Sequence, residues 1–346
     1  MNSPKVVKET KNSIKVDFNR TSKWTRFRLK YLTAKFLGQV VWIIFRTVIL
    51  VGISYVILFP FIAKVASSFM GREDFVDVTV KLIPRYPTLD TYKAIIRDRF
   101  YFEAMRNSFI LSMFCGVVQT IMCTIIGYGF AKFKFKGNKI VFMLVVFTMV
   151  IPHDTLQLSM FMKFRYFDIF WIFKVLGGGW KEWLNIIGFT SINLNNSYWP
   201  LAVLSFGGLA FKNGLYIFMM RQFFRGVPDE LEESAYIDGS NVYRTFAQII
   251  VPLSIPMMIT IFLFAFSWQW TDGFYTEVFF TTESYKLIPN IIGVPKSLDT
   301  NYAGQNLYIS AIQNTCGLMI IAPLIVIYLF FQRYLIQGIE RSGIVG

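Results

Sequence analysis

Six stretches of this chain are long and apolar enough to cross a lipid bilayer, and that pattern limits the fold more than any other feature. A spanning α-helix needs about 20 largely apolar residues, and candidate spans lie at about 43–63, 107–131, 140–161, 201–222, 256–280 and 306–332. Hydrocarbon offers no water to backbone N–H and C=O groups, so only helices and closed barrels cross it. Runs of this length therefore predict an all-α polytopic membrane protein. Composition agrees: 54% of the residues are hydrophobic and 16% charged, where a soluble domain carries about 25% charged residues.

The charge is unevenly placed. Residues 1–37 hold ten Lys or Arg against Glu9 and Asp17, and KFKFKGNK (132–139) adds four lysines with no acid. By the positive-inside rule both segments stay in the cytoplasm, which places both termini there. Residues 1–37 are read as a basic cytoplasmic tail on a transmembrane domain, 38–346. The tail runs directly into a span, so anionic lipid headgroups account for its charge better than nucleic acid does. It lacks an apolar core ahead of a small-residue cleavage site, so no secretory signal peptide is expected.

Cys115, Cys123 and Cys316 all sit inside apolar stretches without a paired motif, as small packing residues do. His153 is the only histidine, and zinc, haem and Ser-His-Asp chemistry each normally draw on more of that residue type. No metal site and no catalytic residues are expected.

One polar segment stands out. DELEESAYIDGSNVYRTFAQIIVP (229–252) falls on the cytoplasmic side and reads as two short helices. Asp229-x-x-Glu232 has the form of a capping box, and acids crowd the first turn, next to the positive end of the helix dipole. Gly239 suits a left-handed helix stop, Ser240 is placed to cap the next helix, and Pro252 marks the turn into the fifth span.

Glu233-Ser234-Ala235, three residues, Gly239, nine residues, Ile249-x-Val251-Pro252 resembles the EAA loop of ABC-importer permeases. RQFFRGVPDELEESAYIDGS (221–240) is similar to the version in maltose-type carbohydrate importers. Trp270-Thr271-Asp272 resembles their Trp-Asn-Asp, and Lys286-Leu287-Ile288-Pro289 their following Thr-Leu-Pro. The ending Phe331-Gln332-Arg333-Tyr334, Gly338, Ser342-Gly343-Ile344-Val345-Gly346 resembles the tail of the second, G-type subunit. The similarity runs from about residue 40 to the end.

The resemblance implies a type I importer fold with six spans and a coupling loop at 227–252. In such a protein Glu233, Ser234, Ala235, Asp238, Gly239, Ile249 and Pro252 meet a separate ATPase, with Glu233 facing an arginine of that partner. It also implies a second homologous permease, two ATP-binding subunits, an extracytoplasmic solute-binding protein and a carbohydrate substrate in a bacterial plasma membrane. No Gly-rich sequence ending in Gly-Lys-Ser/Thr occurs, so ATP and Mg would be used by the partner, and this chain would bind no cofactor.

Ionisable residues at membrane depth usually face a bundle interior or water. Lys212 and Asn213, in the fourth candidate span, and Asp272, deep in the fifth, are the pathway candidates, with Trp268 and Trp270 offering aromatic faces to a sugar. The segment 281–305 is the expected meeting place with the binding protein. Two other readings fit an apolar chain: a membrane-embedded enzyme acting on lipid or lipid-linked sugar, and a stand-alone secondary transporter. The first calls for clustered polar groups at one membrane face, the second for two related halves, and neither pattern is visible.

Overall fold

A computed structural model of the protein describes residues 34–168, 172, 174, 190–210, 212–282, 285–298, 300 and 305–343. The basic tail through residue 33, most of the 163–199 connector and the terminal Ile344-Val345-Gly346 lie outside the described residues. The chain divides into two compact units, Met1–Ala66 and Ser67–Gly346.

The described part of the first unit lies in α1, Ala34–Ser68. Its side chains from Val41 through Ile62 are exposed on every face. A helix apolar all round is stable where lipid replaces water as the solvent.

The second unit begins with a 3₁₀ turn, Arg72–Phe75, and α2, Asp90–Asp98. Its central element is α3, Tyr101–Lys132, packed against α7, Asn213–Arg225, and α9, Val242–Trp270. Lipid tails are as apolar as leucine, so close packing and not water exclusion holds such helices together. Gly127 shows how: a Cβ there would stand 2.5 Å from the Met220 Cβ, so α3 and α7 approach backbone to backbone. The hydroxyls of Thr120 and Thr124 on α3 are spent on the carbonyls four residues earlier, at 2.7 Å each. The three cysteines are fully buried in three separate packing clusters and unpaired. Among the described residues the only β pairings are two isolated bridges, Met70–Pro87 and Phe167–Ile192.

Among the described residues four helices are long and apolar enough to cross a membrane: Gly38–Ser68, Tyr101–Lys132, Val242–Trp270 and Gln305–Ile336, the last inside α11, Gln305–Gly343. They cover the first, second, fifth and sixth expected spans. The third is bent. α4, Asn138–Thr148, stops before Pro152, and a 3₁₀ turn, His153–Leu156, leads into α5, Gln157–Arg165, so that the two halves differ in direction by 98°. Proline has no N–H to give and keeps its neighbour out of the helical region. Counting the bent pair as one span gives five.

The expected span at 201–222 is two helices, α6, Trp199–Phe206, and α7. Gly208 at φ +66° and Lys212 at φ +64° separate them. Hydropathy alone ran through Gly207-Gly208 without registering a stop. The fifth span begins and ends earlier than expected: α9 stops at Trp270, and a separate short helix, α10, covers Phe274–Phe279. Asp272 therefore lies in the turn beyond the helix and not deep within it.

Candidate functional site

Between α7 and α9 the chain forms the expected hairpin. α8 runs from Glu230 to Ile237 and is closed by Gly239 at φ +81°. Ser240 N–H donates to the Ala235 carbonyl at 2.9 Å and Gly239 N–H to that of Tyr236 at 3.0 Å. This pair of bonds satisfies two of the free carbonyls at the helix end through one left-handed residue.

Three sequence expectations need correction here. Asp229 makes no capping bond within α8, because its carboxylate is taken by the Lys132 ammonium. The cap of the next helix is Asn241, whose Oδ1 accepts from Arg244 N–H at 2.8 Å, and not Ser240. Pro252 marks no turn: the chain is helical from Val242 through Trp270. A π-helical stretch, Phe246–Ile250, ends two residues before the proline. Shifting the bonding register there accommodates the N–H that Pro252 cannot supply toward Gln248.

The hairpin is held from the side by the end of α3. Lys132 Nζ donates to the Val227 carbonyl at 2.8 Å and to Asp229, and lies 3.5 Å from Glu232 Oε1. Tyr128, one turn earlier on α3, donates its hydroxyl to Glu232 Oε2 at 3.3 Å. The Tyr128 ring packs 4.7 Å from that of Phe246. Glu232 and Ala235, on one face of α8, are buried. The Lys132 ammonium also holds the Asp229 carboxyl below the usual carboxylate range.

The other face of the hairpin is open. Glu233, Ser234, Asp238 and Gly239 are exposed, and so are two large apolar side chains, Ile237 at 86% and Tyr243 at 85%. Ile249 is half-buried and Pro252 exposed. Ile237 and Tyr243 lie on a polar hairpin beyond the long apolar part of α9, so their exposure marks a surface fit for a protein partner.

A second feature lies where the two breaks meet. The gap between α4 and α5 and the gap between α6 and α7 border one cavity of about 350 Å³. Lys212, Asn213, His153, Met149 and Tyr275 stand on its wall. Non-helical backbone at membrane depth is tolerated where it lines a cavity. Lys212 Nζ lies 5.1 Å from the centroid of the Trp268 ring, and the His153 ring meets Phe274 edge-on at 6.2 Å. Asn213 is 1% exposed, and neither its Oδ1 nor its Nδ2 has a hydrogen-bond partner. Asp272 borders an adjoining crevice with Gln119, Trp268 and Gln269. Its Oδ1 accepts from Tyr275 N–H at 3.3 Å, and its Oδ2 is buried without a hydrogen-bond partner.

Residues 123–341 match the profile of the family described as binding-protein-dependent transport system inner membrane component. The chain belongs to that family.

An inner membrane component of this kind is a part of a transporter and not an enzyme. Among the described residues no group of His, Cys, Asp or Glu could hold a metal ion. The galactooligosaccharide transport permease GanQ of Bacillus subtilis is 25% identical over 88% of this chain and 96% of its own. The arabinooligosaccharide transport permease AraQ of the same organism is 26% identical over 87% and 95%. In a crystal structure, a chain of a bacterial ABC transporter that imports the acidic polysaccharide alginate has the same fold. There the TM-score is 0.62, at 19% identity, over 86% of this chain and 97% of that one.

In this inner membrane component the structure brings Lys212, Asn213, Trp268 and Asp272 into one neighbourhood, as the cavity and crevice linings show. Trp270 is set apart in the packing: it is 1% exposed and its Nε1 donates to the Ile320 carbonyl at 2.9 Å. The sequence does not point to Tyr128, and it offers Glu232 only as the capping-box acid, where the structure sets that carboxylate on Tyr128 and Lys132. The lysine was counted only as an orienting charge. The available signal was that Tyr128 and Lys132 stand four residues apart, on one face of a helix end.

Proposed function

We propose that this chain is a six-span permease subunit of an ATP-driven carbohydrate importer in a bacterial plasma membrane, with both termini in the cytoplasm. In this reading the 227–252 hairpin is the coupling element. Glu233 meets a basic residue of a separate ATPase, Ile237 and Tyr243 fill an apolar cleft of that partner, and Lys132 keeps the hairpin fixed to α3. The ATPase dimer, with its ATP and Mg, closes and opens, and the hairpins of this chain and of a second, homologous permease carry that movement into the spans. The α6–α7 pair, with its break at residues 207–212, counts as the sixth crossing.

The observation that carries the reading is the asymmetry of the hairpin, one face bolted to α3 and the other apolar and exposed on a polar segment. The oligosaccharide permeases among the relatives support a sugar as cargo. Lys212, Asn213, Trp268 and Asp272 are proposed to line the pathway, with Trp268 as the aromatic platform. Segment 281–305 is proposed to face the extracytoplasmic binding protein.

The test is co-purification from the native host in mild detergent, wild type beside Glu233→Arg. A second permease and an ATP-binding subunit accompany the wild type, and the ATPase is lost from the variant, with uptake abolished. Wild-type uptake by Glu233→Arg would falsify the coupling role.

A further inference from the structure

The cavity between the two helix breaks has a chemistry that narrows the reading above. Its described lining includes one ammonium, Lys212, one imidazole, His153, one buried amide, Asn213, one phenol, Tyr275, and the Thr148 hydroxyl, and among the described residues no carboxylate stands on its wall. Asp154 follows His153 in the chain and Asp272 borders the neighbouring crevice, but neither lines the cavity. Asn213 opens the 13-residue helix α7, and no side chain caps that helix. The first-turn N–H groups and the helix dipole therefore place positive potential at the wall where Lys212 stands. Broken helices that present an N-terminus to a membrane cavity are suited to anionic cargo groups.

The independent observation is the Asn213 side chain. A buried amide without a partner costs free energy, and here both its oxygen and its nitrogen lack one at a cavity wall.

We infer that this cavity seats the carboxylate of an acidic, uronate-bearing saccharide, a conclusion that rests on the carbohydrate reading above. The carboxylate lies between Lys212 and Asn213 Nδ2 at the start of α7. The sugar ring stacks toward Trp268, over which Lys212 is already poised. Cation, amide donor and aromatic face are then each matched to one feature of a uronic acid residue.

The experiment uses the whole importer, reconstituted in liposomes with its binding protein, and matched pairs of disaccharides that differ only in oxidation at C6. Digalacturonate is set beside galactobiose, and the glucuronate and mannuronate pairs are treated likewise. The expected result is uptake of an acidic member, with kcat/KM lowered about tenfold or more in Lys212→Asn, as suits loss of one charge-assisted hydrogen bond, and largely kept in Lys212→Arg. Asparagine tolerates the left-handed backbone of position 212. If Lys212→Asn does not assemble with its partners, Asn213→Ala carries the same test through a raised KM for the acidic sugar.

Uptake of neutral members alone overturns the inference and leaves the carbohydrate reading standing. Acidic uptake that is indifferent to these substitutions overturns the site. Uptake of no saccharide by an importer that hydrolyses ATP removes the carbohydrate reading, and this inference with it.

Discussion

Lys132 and Glu232 show what a single residue contributes here. Their side chains are 7% and 10% exposed, and removing one partner of a buried pair strands the other charge. Lys132→Met is expected to destabilise the protein by about 3 kcal/mol, the lower end of such effects. The double variant with Glu232→Gln recovers part of the loss. Thermal unfolding in mild detergent reads both, and equal melting of wild type and Lys132→Met would show that the pair is effectively solvated. The sequence could not single out Glu232 from Asp229, Glu230 and Glu233. All four belong to one acidic turn, and only the position of α3 decides which carboxylate turns inward.

Asp98 gives a residue-scale prediction in acid. Hydrogen bonds from Ser297, and after them from Arg97, hold its pKa at about 2. A carboxyl whose pKa is depressed by folding stabilises the native state fully above its unfolded value, about 3.9. That contribution is lost as the pH falls toward the folded value. Asp98→Asn is expected to flatten the part of the unfolding curve between about pH 4 and pH 2, while melting above pH 5 falls by a constant amount. An acid limb identical to wild type would mean that Asp98 is not tied to Ser297 in solution.

At the scale of the element, Gly239 separates backbone from packing. Beyond Gly239 itself and its two chain neighbours no atom lies within 4 Å of where its Cβ would stand, so the cost of a side chain comes from φ +81°. Gly239→Ala is expected to cost about 1–2 kcal/mol, and Gly239→Asn less, since asparagine visits that region more readily. Hydrogen exchange over 230–245 checks this, and equal protection in glycine and alanine proteins would refute it. The helix stop at Gly239 was legible because its cause is local. So were α1, α3, α9 and α11, whose apolar runs exceed what any loop would carry. The continuous helix through Pro252 was not legible. A proline usually argues for a boundary, and the π-helical stretch that absorbs it depends on Ile250 and Phe246 being packed against the α3–α7 pair. Neither was the division of 201–222, where a near-unbroken hydropathy profile concealed two left-handed residues.

For the whole molecule, the segment 286–297 is stitched to α2 and the start of α3. Asn107 Nδ2 donates to the Lys286 carbonyl at 3.1 Å, and Ile288 N–H to Ser108 Oγ at 2.8 Å. Arg99 Nη2 donates to the Val294 carbonyl at 3.1 Å, and Ser297 N–H to Asp98 at 2.8 Å. Ile292, 53% exposed, and Lys296 project from this pinned frame. Replacing both, as Ile292→Ser with Lys296→Glu, is expected to leave stability within about 0.5 kcal/mol, as surface changes do. Affinity of the assembled importer for its binding protein falls. Unchanged affinity would move the docking surface elsewhere. The family itself was legible from one hairpin's spacing, whereas the cavity was not. Its walls come from positions 148 to 275, and no local pattern announces that two helix breaks so distant in sequence share a space.

α3 is unbroken from Tyr101 to Lys132, which at 1.5 Å per residue is a rod of about 48 Å. Near one end Glu103 is paired with Lys286 at 2.8 Å, and at the other Lys132 grips the hairpin. Under the coupling role proposed above, a push on the hairpin is carried along one stiff rod toward the Glu103 end, past the points where Gly127 and Gly116 let the neighbouring helices press close.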